Sequence, residues 1–151
     1  MRRTDREILD RRKMEVILDT TPVMHLGLWD GKEVYVVPLN FVRIGASLYF
    51  HSALEGRKID ILGSNPRVCF EVTGEHHIER GSGGADCTTR YESVIGWGTA
   101  QVVGDFNEKN AILCELNKKF GSVADKLPEH VVDKTAVIKI KIDEMTGKSN
   151  K

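Results

Sequence analysis

The 151-residue chain is poor in the features that mark several large protein classes. It has only three cysteines, Cys69, Cys87 and Cys114, an odd number with no zinc-type spacing. That excludes a disulfide framework and a structural zinc site, and it fits reduced thiols in a cytoplasmic protein. An excess of either charge is also missing, because 22 Lys and Arg balance 22 Asp and Glu. General binding to nucleic acid, which needs a basic surplus, is not expected. No apolar run approaches the roughly 18 to 20 residues of a membrane-spanning helix. Met1-Arg2-Arg3 is followed at once by Asp5, Glu7 and Asp10 with no apolar core, so no secretion signal is read. G-x-S-x-G, the P-loop and a G-x-G-x-x-G behind a strand are all absent.

Prolines are few too, four in all, and they punctuate the chain. Thr4-x-x-Glu7 has the form of a capping box, and Ile8, Leu9, Val16, Ile17 and Leu18 continue it as a helix ending near Thr20, closed by Pro22. Strands over 24–29 and 33–42 flank Asp30-Gly31, a hairpin signal. A third strand covers 47–51. A helix behind it ends near Ser64, because Asn65-Pro66 cannot continue it. Residues 67–73 make a fourth strand with Val68, Phe70 and Val72 on one face. The glycine-rich segment 81–86 reads as a mobile loop. Residues 91–103 form a strand in which Gly96 and Gly98 mark a bend or a close backbone approach. A helix over 107–120, a short helical turn at Pro128 and a strand over 135–142 with one wet face complete the pattern, with a loose tail over about 144–151. About six mostly antiparallel strands with few crossover helices predict a single domain over 1–151, a small barrel with helices at its edges.

The segment His51-Ser52-Ala53-Leu54-Glu55-Gly56-Arg57-Lys58 concentrates the chemistry. It follows the apolar strand Ser47-Leu48-Tyr49-Phe50 and opens a helix, with Ser52 as the expected N-cap. The first amides of a helix lack partners and its dipole favours an anion. Lys58 and Arg57 at that end are unfavourable unless an anion sits there. A phosphate is the natural occupant.

Together, Val36-Val37-Pro38-Leu39-Asn40, then Leu48-Tyr49-Phe50-His51-Ser52-Ala53-x-x-Gly56-x-Lys58, then Asn65-Pro66-Arg67-Val68-Cys69-Phe70, and later Tyr91-Glu92-Ser93-Val94 with Gly96 and Gly98, resemble the pyridoxamine 5'-phosphate oxidase-like, flavin-nucleotide-binding split β-barrel proteins. The chain is most similar to their nitroimidazole-resistance branch. The resemblance spans residues 1–142 and implies a six-stranded antiparallel split barrel, a homodimer, and one FMN in each of two interfacial clefts. It places His51 and Ser52 at the FMN phosphate or ribityl chain, with Lys58 neutralising the phosphate and Arg57 as a helper. Val37, Pro38, Leu39 and Asn40 would run along the isoalloxazine edge. Ser93 and Trp97 would belong to the cleft wall, contributed by the partner subunit. Pro38 removes a ladder donor and suits an edge where a ligand approaches.

Three functions stay open on this reading. One is an FMN-dependent reductase of small organic molecules such as nitroaromatics, with no residue standing out as an obligatory acid or base. The second is a non-catalytic flavin-binding module for storage or sensing, and the third a split barrel holding haem. Strict vitamin-B6 oxidase activity is disfavoured, because no arginine- and histidine-bearing segment follows Ile142. A metal site is not expected: His76 and His77, adjacent on a strand, face opposite sides, and a glycine-rich loop separates them from Cys87.

Overall fold

The computed structural model describes residues 3–81, 83 and 87–150. Its elements, in chain order, are β1 (Glu7–Ile8), α1 (Arg11–Thr20), β2 (Val23–Trp29), β3 (Val34–Asn40), β4 (Val42–Ile44), β5 (Ser47–Ser52), α2 (Arg57–Ser64), β6 (Arg67–Glu79), β7 (Thr88–Val102), α3 (Phe106–Lys119), α4 (Glu129–Asp133) and β8 (Ala136–Asn150). One sheet holds all the strands in the order β3-β2-β6-β7-β8-β5-β4, with β1 added on β8. Every pairing is antiparallel. The sheet curls until β3 lies against β5 without pairing to it, which leaves an open seam. This is the small barrel with flanking helices that the strand pattern predicts, with the split that the family resemblance implies. All six expected strands are present; the two-residue β1 and three-residue β4 raise the count to eight among the described residues.

Two apolar layers hold the sheet. Inside the curl, Phe41, Phe50 and Phe70 are fully buried with Leu26, Leu48, Val72, Ile138 and Ile140, and Leu18 of α1 plugs one end. Outside it, α3 and α4 pack Ile112, Leu113, Leu116 and Val132 onto Tyr49 and Val137. Strands β5 and β8 are therefore covered on both faces, which explains the unbroken apolar runs Leu48-Tyr49-Phe50 and Val137-Ile138. The single wet face expected for residues 135–142 begins only at Lys139.

Several boundaries move. The Thr4-x-x-Glu7 pattern does not cap a helix: Thr4–Arg6 is one 3-10 turn, and β1 takes Glu7 and Ile8 into register with Lys148 and Gly147. Helix α1 starts later, where the Asp10 carboxylate accepts from the Arg12 amide at 2.9 Å. The tail over 144–150 is not loose. It is the second half of β8, paired with β7 as far as Tyr91↔Asn150 and with β1. The wet residues Asp143, Glu144 and Lys148 disguise this half, and Gly147 is needed there because a Cβ would meet Met14 Cγ at 2.7 Å. Strand β6 likewise runs past Thr73 to Glu79 after a register shift, and pairs with the start of β7. Residues 82 and 84–86 of the expected glycine-rich loop lie outside the described residues; Gly81 and Gly83 are exposed and belong to no strand.

Gly96 and Gly98 mark both features predicted for them. A Cβ on Gly96 would fall 2.3 Å from Phe70 Cζ, and one on Gly98 2.5 Å from the Lys141 carbonyl oxygen. The β7–β8 register also shifts between Trp97 and Gly98.

Candidate functional site

Part of the predicted site lies along the open seam. Gly31 takes φ +98° at the tip of the β2–β3 hairpin, and Asp30 Oδ1 accepts from the Lys32 and Glu33 amides at 2.8 and 2.9 Å. Those two amides, with Arg57 beside them, hold the Asp30 carboxyl below its ordinary pKa. Its other oxygen accepts from Arg57 at 3.1 Å, and Glu33 accepts from the same guanidinium nitrogen. The guanidinium carbon stands 4.6 Å above the Tyr35 ring. At the far end of α2, the Asn65 side-chain amide donates to the Trp29 carbonyl at 3.1 Å. Both ends of α2 are thus tied to the hairpin, and this fixes where its first turn sits.

That first turn carries no side-chain cap among the described residues. Gly56, at φ +121°, is the residue before it, and its carbonyl accepts from Ile59 and Asp60. The amides of Arg57 and Lys58 have no acceptor among the described residues. Ser52, the expected cap, lies five residues short of the helix, at the end of β5.

Lys58 lies over β5, its ammonium 5.6 Å from the centre of the Phe50 ring. It is half-buried and has no hydrogen-bond or ion-pair partner among the described residues. Burial lowers its pKa from the ordinary lysine value. A half-buried ammonium beside two unpartnered amides is a seat for an anion. The residues present therefore fit a phosphate group.

The structure sorts the other predicted residues by face. Successive strand residues point to opposite sides. Ser52 shares the side of Leu48 and Phe50, where Lys58 lies; His51 shares the side of Tyr49 and is exposed. On β3, Val37 and Leu39 turn inward with Tyr35, whereas Pro38 and Asn40 are outward and exposed. Strand β3 is an edge of the sheet, so one row of its backbone amides and carbonyls is unpaired along the seam.

Ser93 and Trp97 are outward on β7, half-buried. Register links them to the rest: Val36, Gly27, Cys69 and Trp97 stand in one row across β3, β2, β6 and β7. Three strand spacings of about 4.8 Å put Trp97 roughly 14 Å from β3 within one chain. One chain therefore brings Lys58, Ser52 and the β3 edge together, with Arg57 at their side but committed to carboxylates. It does not bring Trp97 or Ser93 to them. A cavity of about 760 Å³ lies elsewhere, lined by Ile8, Leu9, Arg12, Val16 and Glu92.

Sequence reasoning passed over Tyr35 and Phe50, the rings beneath Arg57 and Lys58, since ring contacts across the seam leave no local signal. It also passed over Lys119. This lysine donates from Nζ to the Leu18 and Thr21 carbonyls at 3.0 and 2.7 Å, closing the end of α1, 3.9 Å from the Phe41 ring centre. Among the described residues, no group of His, Cys, Asp and Glu is placed to hold a metal, and no helix is long and apolar enough to cross a membrane.

Comparison with known proteins shows the family and the fold. The profile of the pyridoxamine 5'-phosphate oxidase family matches residues 10–149. No curated protein matches with significance. A crystal structure of a candidate 5-nitroimidazole antibiotic resistance protein from Bacteroides thetaiotaomicron superposes with a TM-score of 0.84 and 29% identity, over 94% of this chain and 85% of that one. The flavocytochrome Anf3 from Azotobacter vinelandii gives 0.87 at 22% identity, over 100% of this chain and 72% of that one. The FAD and haem binding protein from Mycobacterium smegmatis gives 0.86 at 20%, over 97% and 74%. The last two speak to the fold alone.

Proposed function

The chain belongs to the pyridoxamine 5'-phosphate oxidase family, and on that premise we propose that it binds FMN and is a flavin-dependent reductase of small organic acceptors, nitroaromatics among them. The observation that carries the flavin reading is Lys58. It is a half-buried ammonium without a partner among the described residues, beside two free helix amides and next to an edge strand. FMN needs a cradle for a dianion, a wall for a flat ring and hydrogen-bonding groups along the ring's rim. Lys58, Ser52 and the first turn of α2 supply the first. Strand β3, with Pro38 and Asn40 outward and a free backbone edge, supplies the other two. When bound, the flavin supplies the redox chemistry itself; the chain positions it. The nitroaromatic acceptor is suggested by the 29% identical candidate resistance protein.

The working unit on this reading is a homodimer. Trp29, Val34, Val36 and Ile95 are 46%, 64%, 56% and 40% exposed on one outward sheet face, around half-buried Cys69 and Trp97. A contiguous apolar face of this kind marks an interface. A second copy on it would bring its Ser93 and Trp97 to the seam that one chain leaves open.

The absorbance spectrum of the purified protein tests the cofactor. Flavin bands, or their appearance on adding FMN, are expected. A Soret band instead would assign the cleft to haem. Neither band, with no FMN uptake, would remove the reading. Turnover of a nitroaromatic with reduced nicotinamide then separates a reductase from a binding module, and light scattering reports whether the mass is that of two chains.

A further inference from the structure

The outward face carries a second polar constellation that the phosphate seat does not use. His25 on β2 stands directly across from Pro38 on β3 and from Glu71 on β6. Its Nδ1 lies 3.1 Å from Glu71 Oε2, and the Thr73 hydroxyl donates to the other oxygen of that carboxylate. His25 keeps 53% of its side chain exposed, and Glu71 33%. Thr73 and His25 together hold Glu71 in one orientation, and Glu71 holds the ring. A carboxylate at Nδ1 fixes the proton on that nitrogen and leaves Nε2 as the one free to exchange. So exposed a pair adds little to stability. Its arrangement is that of a base held by a third group, set one strand in from the β3 segment that would carry the flavin ring.

We infer that His25 is the proton donor of the reaction, with Glu71 as its positioning residue; this rests on the flavin-reductase reading above. Two-electron reduction of a nitro group consumes one hydride equivalent and one proton: ArNO₂ + H⁻ + H⁺ gives ArNO + H₂O. The hydride equivalent comes from the reduced flavin, which a reduced nicotinamide recharges. The proton leaves Nε2 of the doubly protonated His25 ring, which becomes neutral while Glu71 holds the proton on Nδ1, and a proton from solvent restores the ring for the next turnover. Directly opposed residues in an antiparallel pair have Cβ atoms about 5 Å apart. A ligand lying on Pro38 is therefore within a side chain's reach of Nε2.

The test uses the FMN-loaded protein, its His25→Gln and Glu71→Ala variants, reduced nicotinamide and a nitroimidazole. Long-range ¹⁵N–¹H correlation spectra should show the neutral His25 ring protonated at Nδ1 in the wild type and at Nε2 in Glu71→Ala. His25→Gln should lower kcat by about 10²-fold, the usual scale for one general acid, and leave FMN affinity and acceptor KM unchanged. A wild-type ring protonated at Nε2, or a flavin-loaded His25→Gln protein with undiminished kcat, overturns this inference alone. A wild-type protein that takes up no FMN, or takes it up without turnover, overturns the reductase reading and this one with it.

Discussion

Arg57 lies face-on to Tyr35, its guanidinium carbon 4.6 Å above the ring centre, while its fork joins Asp30 to Glu33. Two adjacent cations thus have different fates. Arg57 is spent on the β2–β3 hairpin, and Lys58 has no hydrogen-bond or ion-pair partner among the described residues. Removing a competing carboxylate should release Arg57 toward the anion. Glu33→Gln is expected to tighten FMN binding in a fluorescence titration, and Arg57→Ala to weaken it less than Lys58→Ala does. Unchanged affinity in Glu33→Gln would mean that Arg57 plays no part in phosphate binding.

Lys58→Ala should weaken FMN by about 1.5 to 3 kcal/mol, the scale of a hydrogen bond to a charged group. This is roughly a 10- to 150-fold rise in Kd. Riboflavin, which lacks the phosphate, should bind wild type and variant alike. Equal FMN affinity in the two proteins would take Lys58 out of the site.

Gly96 faces the fully buried Phe70 with no room for a methyl group. Gly96→Ala should therefore destabilise the fold by about 1 to 3 kcal/mol, the usual cost of overpacking. Urea unfolding measures it. Phe70→Leu in the same chain should recover part of the loss, so the two substitutions should be non-additive. Simple addition of the two costs would show that the contact is not the cause.

Lys119 offers a pH test. Burial lowers its ammonium to about 8, against an ordinary value of 10.5. Below pH 8 both folded and unfolded chains hold the proton, so this group adds no slope. Between about 8 and 10.5 the unfolded chain holds more protons than the folded one, and raising the pH favours folding. The neutral amine still has two N–H donors for the Leu18 and Thr21 carbonyls. The stability of wild type relative to Lys119→Met should thus grow between pH 7.5 and 9.5, read by denaturant unfolding at each pH. A constant difference across that range would contradict it.

Much of the frame is legible in local signals. Asp30-Gly31 turns a hairpin because Gly31 takes a positive φ and the Asp30 carboxylate caps the turn's amides. Asn65 ends α2, as the proline after it requires. Val68, Phe70 and Val72 alternate inward as their spacing implies. The misses have a common origin. The Thr4-x-x-Glu7 box looked like a helix cap until Gly147 and Lys148 drew Glu7 and Ile8 into the sheet. The last residues of the sequence read as a tail because they are mostly polar or charged, though β7 pairs with them to Asn150.

The six long strands, their order along the chain and a cation at position 58 behind an apolar strand can all be read from local sequence. These depend on periodicity, caps and breakers, whose reach is a few residues. Three relationships instead need the folded chain: Ser52 rather than His51 shares the face of Lys58, Arg57 joins Asp30 and Glu33, and His25 meets Glu71. The last pair lies 46 residues apart in sequence, and Lys119 reaches a carbonyl 101 residues away. Such contacts follow from pairing register, and a slip of one residue would turn every side chain to the other face.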